Sequence, residues 1–178
     1  MRFIPTTLDG VWRLEPERRE DERGYFARTW CETEFAAHGL NLRWPQGNVT
    51  GTLKRGTIRG LHWQADPKPE VKLVRCSLGK VWDVVVDVRP ASPGFGRWEA
   101  FELSAENGTQ LYVPAGFAHG FQCLVDGSEM TYLMGETYDP ALARGLRWND
   151  PQVGIEWPLP EPFLSERDRS LPLLAAFR

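Results

Sequence analysis

Gly56-Thr57-Ile58-Arg59-Gly60-Leu61-His62-Trp63-Gln64 is the stretch of sequence that decides the fold. Its glycines and β-branched residues are typical of a strand whose ends occupy tight backbone positions. The period-2 alternation of a strand predicts one face with Ile58, Gly60 and His62 and another with Arg59, Leu61 and Trp63. Because Gly60 carries no side chain, a ligand can approach His62 across it. The alternative is a histidine that is hydrogen-bonded within the core.

A second stretch points to the same kind of site. Pro114-Ala115-Gly116-Phe117-Ala118-His119-Gly120 also carries a histidine between glycines. The chain has 3 histidines, and His38 is the only one outside such a context. This scarcity favours a functional role for His62 and His119.

The composition restricts the classes of function open to the chain. At 178 residues it can bury a sizeable core, and we expect one domain, residues 1–178. Proteins that bind nucleic acids usually carry a basic surface, and the net charge of −3 argues against such a partner. The sequence contains no apolar run of about 18 residues, so we expect no membrane partner either. The first residues lack the apolar core of a signal peptide, and Cys31, Cys76 and Cys123 are spaced as free thiols of a reducing compartment. We therefore expect a cytoplasmic protein.

Short β segments dominate the rest of the chain. Alternation and Gly, Pro, Asp or Asn boundaries predict strands at 25–30, 71–76, 81–89, 97–103, 110–113, 120–125 and 130–134. Ser77-Leu78-Gly79-Lys80 predicts a hairpin-type turn. A helix is expected at 32–38, ended by Gly39, and a second helix starts at Ser165. The pattern predicts an all-β sandwich or barrel with a few short helices, mainly C-terminal.

Two segments resemble the half-motifs of cupins, which are double-sheet jelly rolls (double-stranded β-helices). They are Gly56-x5-His62-x-Gln64 and Gly108-x5-Pro114-x-Gly116-x2-His119. In metal-binding cupins a second histidine stands where this chain has Gln64. Two histidines without a third ligand make a poor metal site, so we expect no bound metal.

The resemblance narrows to one family over about residues 10–172. The motifs that carry it, in order, are Arg23-Gly24-x-Phe26, Gln46-x-Asn48, Arg59-Gly60-Leu61-His62-x-Gln64, Lys72-Leu73-Val74, Gly79-x-Val81-x-Asp83-Val84, Val86-Asp87-x-Arg89, Ser92-Pro93-x-Phe95-Gly96, Val113-Pro114-x-Gly116-x-Ala118-His119-Gly120-Phe121, Tyr132 and Leu164-Ser165-x-x-Asp168. Together they resemble the dTDP-4-dehydrorhamnose 3,5-epimerases, which are metal-free cupins of deoxysugar biosynthesis of the dTDP-L-rhamnose type.

The resemblance implies a catalytic set of four side chains acting on a nucleotide-linked 4-keto-6-deoxyhexose. Loss of a proton from C3 or C5 gives an enolate with its charge on the C4 oxygen, and a proton returned to the opposite face inverts the centre without a cofactor. His62 matches the base, supported by Asp168 on its other ring nitrogen. Lys72 matches the group that stabilises the enolate oxygen, and Tyr132 matches the proton donor on the opposite face.

The resemblance also implies residues that bind the substrate. Arg59 and Arg23 match positions at the diphosphate, whose oxygens suit guanidinium groups, and His119 matches the sugar-phosphate end. The remaining matches, at the nucleotide or the sugar, are Phe26, Gln46, Asn48 and Tyr138. The family forms homodimers that exchange N-terminal strands, which implies that Arg23 and Phe26 serve the partner's site.

Three other functions remain open at this stage. A 3-only or 5-only epimerase keeps the same residues. A cupin ketoisomerase moves the carbonyl between C4 and C3, but the C-terminal Ser165-x-x-Asp168 argues against it. A sugar-binding cupin without catalysis needs no base, acid and oxyanion donor, so the joint presence of His62, Lys72, Tyr132 and Asp168 argues against it.

Arg28 is the one clear departure from the family's pattern. The family commonly carries a glutamate there, near the nucleotide, so we predict that Arg28 changes the nucleotide preference. The ratios of kcat/KM for dTDP-, UDP-, GDP- and CDP-linked 4-keto sugars should differ between the wild type and Arg28→Glu. Unchanged ratios would remove Arg28 from nucleotide selection.

Overall fold

The computed structural model describes residues 1–178, and β-strands account for most of its regular structure. In chain order the strands are β1 (Arg2–Pro5), β2 (Trp12–Glu15), β3 (Arg18–Asp21), β4 (Gly24–Ala27), β5 (Gln46–Thr52), β6 (Ile58–Gln64), β7 (Lys72–Leu78), β8 (Lys80–Asp87), β9 (Trp98–Ser104), β10 (Gln110–Val113), β11 (Phe117–Cys123), β12 (Ser128–Met134) and β13 (Ala143–Gly145). One sheet has the order β1-β2-β10-β7-β12-β5 and the other the order β13-β6-β11-β8-β9. Strands β3 and β4 form a separate hairpin. The predicted cupin-type jelly roll is therefore confirmed.

The main core lies between the two sheets. The six-stranded sheet contributes Val74 and Leu111, and the five-stranded sheet contributes Val85, Phe117 and Phe121 to the same buried cluster. The aliphatic and aromatic residues of these strands favour a pleated, two-sided packing surface. The site described below lies beside this core.

The outer faces of both sheets are covered as well. Val84 and Val86 of β8 lie opposite Val85 and pack against Leu146 and Leu174 of the C-terminal segment. The strand predicted at 81–89 is thus present as β8, and its alternating residues form two faces that are both buried.

A helix covers the other sheet. Helix α1 (Glu32–Ala37) buries Phe35 against Leu73 and Tyr112. It ends before Gly39, whose φ of +66° is a left-handed conformation that glycine adopts without penalty, as predicted.

The C-terminal segment contains the other two helical turns. Helix α2 (Glu166–Arg169) begins after Ser165, whose Oγ accepts a hydrogen bond from the Asp168 amide at 3.1 Å, and a 3₁₀ helix follows at Leu174–Phe177. The predicted N-terminal cap at Ser165 is therefore confirmed. None of the helices is long and apolar enough to cross a membrane.

The prediction of a hairpin-type turn at Ser77–Lys80 is wrong. Strands β7 and β8 lie in different sheets, and β7 pairs with β10 and β12 instead. Gly79, at φ +76°, lets the chain change direction between the sheets. A sequence pattern that marks a sharp turn does not specify which strand the next segment pairs with.

A β-bulge corrects the predicted faces of β6. His62 pairs with His119 and Arg59 pairs with Phe121, so three steps along β6 match two steps along β11. Strict alternation placed Arg59 and His62 on opposite faces, but both line one cavity. The bulge adds one residue between them and thereby returns them to the same side.

Two glycines make this bulge possible. Gly60 has φ +114°, and a Cβ on it would lie 2.7 Å from the Cα of Gly120. A Cβ on Gly120 would lie 2.7 Å from the carbonyl oxygen of Arg59. The two backbones therefore approach as closely as they do because neither residue has a side chain.

We predict that Gly60→Ala lowers the free energy of unfolding by at least about 2 kcal/mol, since the new methyl group meets backbone atoms and the left-handed φ disfavours it. Urea unfolding measures the change. Gly51→Ala on β5 is the matched control, because its added Cβ meets nothing within 4 Å. The control should stay within about 0.5 kcal/mol of the wild type. A Gly60→Ala protein as stable as the control would show that the bulge accommodates a side chain.

Candidate active site

Two adjoining cavities lie between the sheets, with volumes of ≈ 350 Å³ and ≈ 220 Å³. Both are lined by His62, Lys72 and Tyr132. Asp168 lines the smaller cavity. The four side chains of the predicted catalytic set are thus brought together from β6, β7, β12 and α2.

His62 and Asp168 form a direct pair. His62 Nε2 lies 2.7 Å from Asp168 Oδ1, and Asp168 Oδ2 accepts a hydrogen bond from the Gly60 amide at 3.3 Å. Burial raises the pKa of Asp168, but the hydrogen bond and charge of His62, the Gly60 amide and Ser165 together lower it below its usual value. A carboxylate at Nε2 makes that nitrogen the donor and leaves the lone pair on Nδ1. Nδ1 is therefore the ring nitrogen suited to accept a proton.

Lys72 places a cation beside this pair. Its Nζ donates a hydrogen bond to the His62 carbonyl oxygen at 3.0 Å and lies 2.7 Å from Glu70 Oε1. The side chain is only 9% exposed. A buried ammonium held by two oxygens is suited to stabilise negative charge on a third oxygen in the cavity.

Tyr132 reaches the cavities from the opposite side to His62. It belongs to β12 of the six-stranded sheet, whereas His62 belongs to β6 of the five-stranded sheet. Its hydroxyl lies 3.1 Å from Thr50 Oγ1 on the adjacent β5. A planar intermediate between the sheets would therefore face a histidine on one side and a phenol on the other.

Arg59 and His119 lie together in the smaller cavity. The Arg59 guanidinium is oriented by Thr52 Oγ1 at 3.0 Å and by the Gly51 carbonyl at 3.2 Å. His119 Nε2 lies 2.9 Å from both carboxylate oxygens of the buried Asp83. Burial raises the pKa of Asp83, and the neighbouring His119 and Lys72 oppose that rise.

Gln46, Asn48 and Tyr138 line the larger cavity. Gln46 Nε2 donates to Asn48 Oδ1 at 3.2 Å, and the Tyr138 amide donates to Gln46 Oε1 at 3.0 Å. These contacts fix one wall of the cavity with polar groups.

Three predicted binding residues lie away from the cavities. Arg23 pairs with Asp21 within the β3–β4 hairpin at 2.6 Å, and Phe26 of the same hairpin is 67% exposed. Arg28 pairs with Glu34 of α1 at 2.8 Å. Within one chain these residues do not contribute to the site.

Sequence reasoning missed several residues of the site. They are Thr50, Trp63, Glu70, Asp83, Arg144 and Arg167. Asp83 had a usable signal, since an aspartate on the core-facing side of a strand must have a partner. Glu70 and Arg167 lie in irregular or helical contexts where charges are usually exposed, so no comparable signal existed.

Gln64 has a structural role. Its amide nitrogen donates to the Lys68 and Thr137 carbonyls at 2.7 and 3.1 Å, and its oxygen accepts from the Asp139 amide at 2.8 Å. These bonds tie two loops to the end of β6. No group of three or more His, Cys, Asp or Glu side chains is placed to hold a metal ion, and the cysteines are free.

The comparisons with known proteins decide the family. The model of the dTDP-4-dehydrorhamnose 3,5-epimerase family matches residues 5–176. The chain belongs to this family. It is 44% identical to the dTDP-4-dehydrorhamnose 3,5-epimerase of Methanothermobacter thermautotrophicus over 95% of this chain and 92% of the relative. It is also 40% identical to the dTDP-4-dehydrorhamnose 3-epimerase of Streptomyces niveus, over 100% of this chain and 86% of that one.

A solved structure of the family agrees with the fold. The crystal structure of the dTDP-4-dehydrorhamnose 3,5-epimerase from Bacillus anthracis with TDP and PPi bound superposes with a TM-score of 0.94 at 40% identity. The match covers 97% of this chain and 98% of that chain. The jelly roll is thus that of the epimerase family.

We predict that Asp168→Asn is less stable than the wild type by about 1.5–3 kcal/mol at pH 7, because it removes a charged hydrogen-bond partner. The pKa of Asp168 is lower in the folded protein than in the unfolded chain, where it is about 3.9. The carboxylate therefore stabilises the fold at pH values above about 3.9, and this stabilisation is lost as the pH falls through the folded-state pKa. The difference should therefore shrink below about pH 4. Urea unfolding from pH 7 to pH 3 measures it, with the exposed Asp66→Asn as control. Equal stabilities at pH 7 would contradict a stabilised carboxylate.

Proposed function

We propose that this protein is a cofactor-independent epimerase that inverts C3 and C5 of a dTDP-linked 4-keto-6-deoxyhexose, in deoxysugar biosynthesis. One observation carries the proposal: His62 and Tyr132 enter one cavity from opposite sheets, with Lys72 lining the same space. Inversion of a carbon centre needs a proton acceptor on one face and a proton donor on the other.

The first step is removal of a proton next to the C4 carbonyl. His62 Nδ1 accepts the proton, while Asp168 at Nε2 holds the ring and stabilises the imidazolium that forms. The C–H bonding electrons become the enolate, whose negative charge lies on the C4 oxygen. Lys72 stabilises this oxygen, an effect worth about 3–4 kcal/mol on the scale of other oxyanion donors.

The second step returns a proton from the other side. The Tyr132 hydroxyl delivers it to the face opposite His62, and the C4 carbonyl re-forms. Thr50 Oγ1, at 3.1 Å, orients the hydroxyl and hydrogen-bonds to the phenolate that remains. The two proton carriers return to their starting states by exchange with water.

The diphosphate is placed at the Arg59 end of the cavities. Arg59 is oriented by two fixed acceptors and offers its remaining N–H groups, and His119 lies beside it. Gln46, Asn48 and Tyr138 contact the sugar or the nucleotide from the larger cavity. The relative from Bacillus anthracis was solved with TDP and PPi bound, which supports a dTDP-linked substrate.

The hairpin residues point to a homodimer of single-domain chains. Tyr25 and Phe26 are 57% and 67% exposed, a large apolar exposure for a hairpin that has little core of its own. In our proposal two copies exchange N-terminal strands, and Arg23, Phe26 and Arg28 complete the partner's nucleotide site. We place this dimer in the cytoplasm.

A 3-only epimerase is the second candidate, since the Streptomyces niveus relative is a 3-epimerase at 40% identity. Proton NMR of dTDP-4-keto-6-deoxyglucose with the enzyme in D2O separates the two. Exchange at both C3 and C5 supports the proposal, exchange at C3 alone assigns the second candidate, and exchange at neither overturns both.

We predict that His62→Asn and Tyr132→Phe disable different halves of the reaction. His62→Asn should abolish deuterium exchange at both carbons and retain dTDP binding. Tyr132→Phe should still allow exchange through His62 with retention of configuration, while inversion falls by about 10²–10⁴-fold. NMR measures exchange and the product ratio in one experiment.

Tyr112→Phe is the control for Tyr132→Phe. Tyr112 lies under α1 and its hydroxyl accepts a hydrogen bond from the Asn41 amide, so its loss should leave inversion unchanged. If Tyr132→Phe inverts at the wild-type rate, another acid reaches that face and the tyrosine is a packing residue.

A further inference from the structure

Glu70 is a buried acid of the site to which the mechanism above gives no role. It lies in the loop before β7 and lines the larger cavity, and its side chain is only 6% exposed. Its Oε1 lies 2.7 Å from Lys72 Nζ, and no other cation pairs with it. A carboxylate is rarely buried to this extent without a specific partner, so its position calls for an explanation.

The contacts of Lys72 suggest that explanation. An ammonium group has three N–H donors. One donates to the His62 carbonyl at 3.0 Å and a second faces Glu70. The third remains for an acceptor in the cavities that Lys72 lines. Two fixed oxygens therefore hold the nitrogen in one position while one donor stays available.

We propose that Glu70 is a positioning residue that holds the Lys72 ammonium in place and supplies the negative charge that keeps it protonated inside the cavity. This inference rests on the proposed function, because it is there that Lys72 stabilises the enolate oxygen. A neutral amine would stabilise the negative charge on that oxygen far less than an ammonium group does. Glu70 thus acts on the reaction through Lys72 and does not touch the substrate's reacting atoms.

The other charges near Lys72 do not replace Glu70. The other charged and titratable groups around the cavities that Lys72 lines are Arg59 and His62 on β6, Asp83 on β8, His119 on β11, Tyr132 on β12, Tyr138 in the loop after β12, Arg144 on β13, and Arg167 and Asp168 on α2. The two carboxylates among them are each bound to a histidine, at 2.9 and 2.7 Å. The three arginines add positive charge. Without Glu70, burial and like charge would both favour loss of the proton from Lys72.

The first test measures the protonation of Lys72 directly by NMR and does not depend on catalytic turnover. The chain's lysines are Lys54, Lys68, Lys72 and Lys80, so lysine labelled with ¹³C at the ε carbon gives few NMR signals, and Lys72→Arg identifies the one of interest. In Glu70→Gln, which keeps the size and the oxygen acceptor but removes the charge, the titration midpoint of the Lys72 signal should fall by at least about one pH unit. Glu70→Asp, which keeps the charge, should lie between Glu70→Gln and the wild type.

Glu102→Gln is the matched control. It makes the same substitution in another Lys–Glu pair, Lys80–Glu102 at 3.1 Å, whose side chains are 37% and 47% exposed and lie outside the cavities. It should leave the Lys72 midpoint and the activity unchanged. An unchanged Lys72 midpoint in a folded Glu70→Gln protein overturns the proposal.

The second test reads the reaction. The alkaline limb of kcat/KM for deuterium exchange should move to lower pH in Glu70→Gln by the same amount as the NMR midpoint, while substrate binding at pH 6 is retained. A rate equal to the wild type's from pH 6 to pH 10 would show that the charge of Glu70 does not serve the reaction. Failure of the proposed function and failure of the Glu70 proposal can be told apart. Absence of deuterium exchange in the wild type would contradict the proposed function, whereas the NMR titration without substrate tests the role of Glu70 alone.

Discussion

The close approach of two backbones, at Gly60 on β6 and Gly120 on β11, is the constraint on which the site depends. The bulge that it allows places Arg59 and His62 on the same side of the strand. The same bulge presents the Gly60 amide to Asp168. A regular strand would send either Arg59 or His62 to the outer face, so a local irregularity brings the two side chains into one cavity.

The C-terminal segment joins folding to chemistry. Leu146 and Leu174 cover the outer face of the five-stranded sheet, and α2, between them in sequence, brings Asp168 to His62. The carboxylate is in place only when the segment has packed, because 106 positions of sequence separate Asp168 from His62. The pair His119–Asp83 does not depend on the C-terminal segment. Its two residues lie on the adjacent strands β11 and β8, so pairing of these strands is enough to bring them together.

The short, alternating strands that end at glycines and prolines predicted an all-β sandwich or barrel, and the resemblance to cupins narrowed this prediction to a jelly roll. The sequence also predicted the helix ends at Gly39 and Ser165, which depend on local chemistry. It failed where pairing between distant segments decides the outcome: the step from β7 to β8 crosses between sheets, and Arg59 changes face through the bulge. The pairing of His62 with Asp168 was available only from resemblance to the family. Glu70 was missed because nothing in its neighbourhood marks it as buried.

The attachment of His62 and Tyr132 to different sheets has a consequence for how this enzyme can evolve. The distance between His62 and Tyr132 depends on the thickness of the hydrophobic layer between the sheets, that is, on core residues such as Val85, Leu111 and Phe117 that do not line the cavities. A change of volume in that layer alters the gap across which a sugar ring must fit. Selection on stability and selection on stereochemistry therefore act on the same apolar side chains of the core.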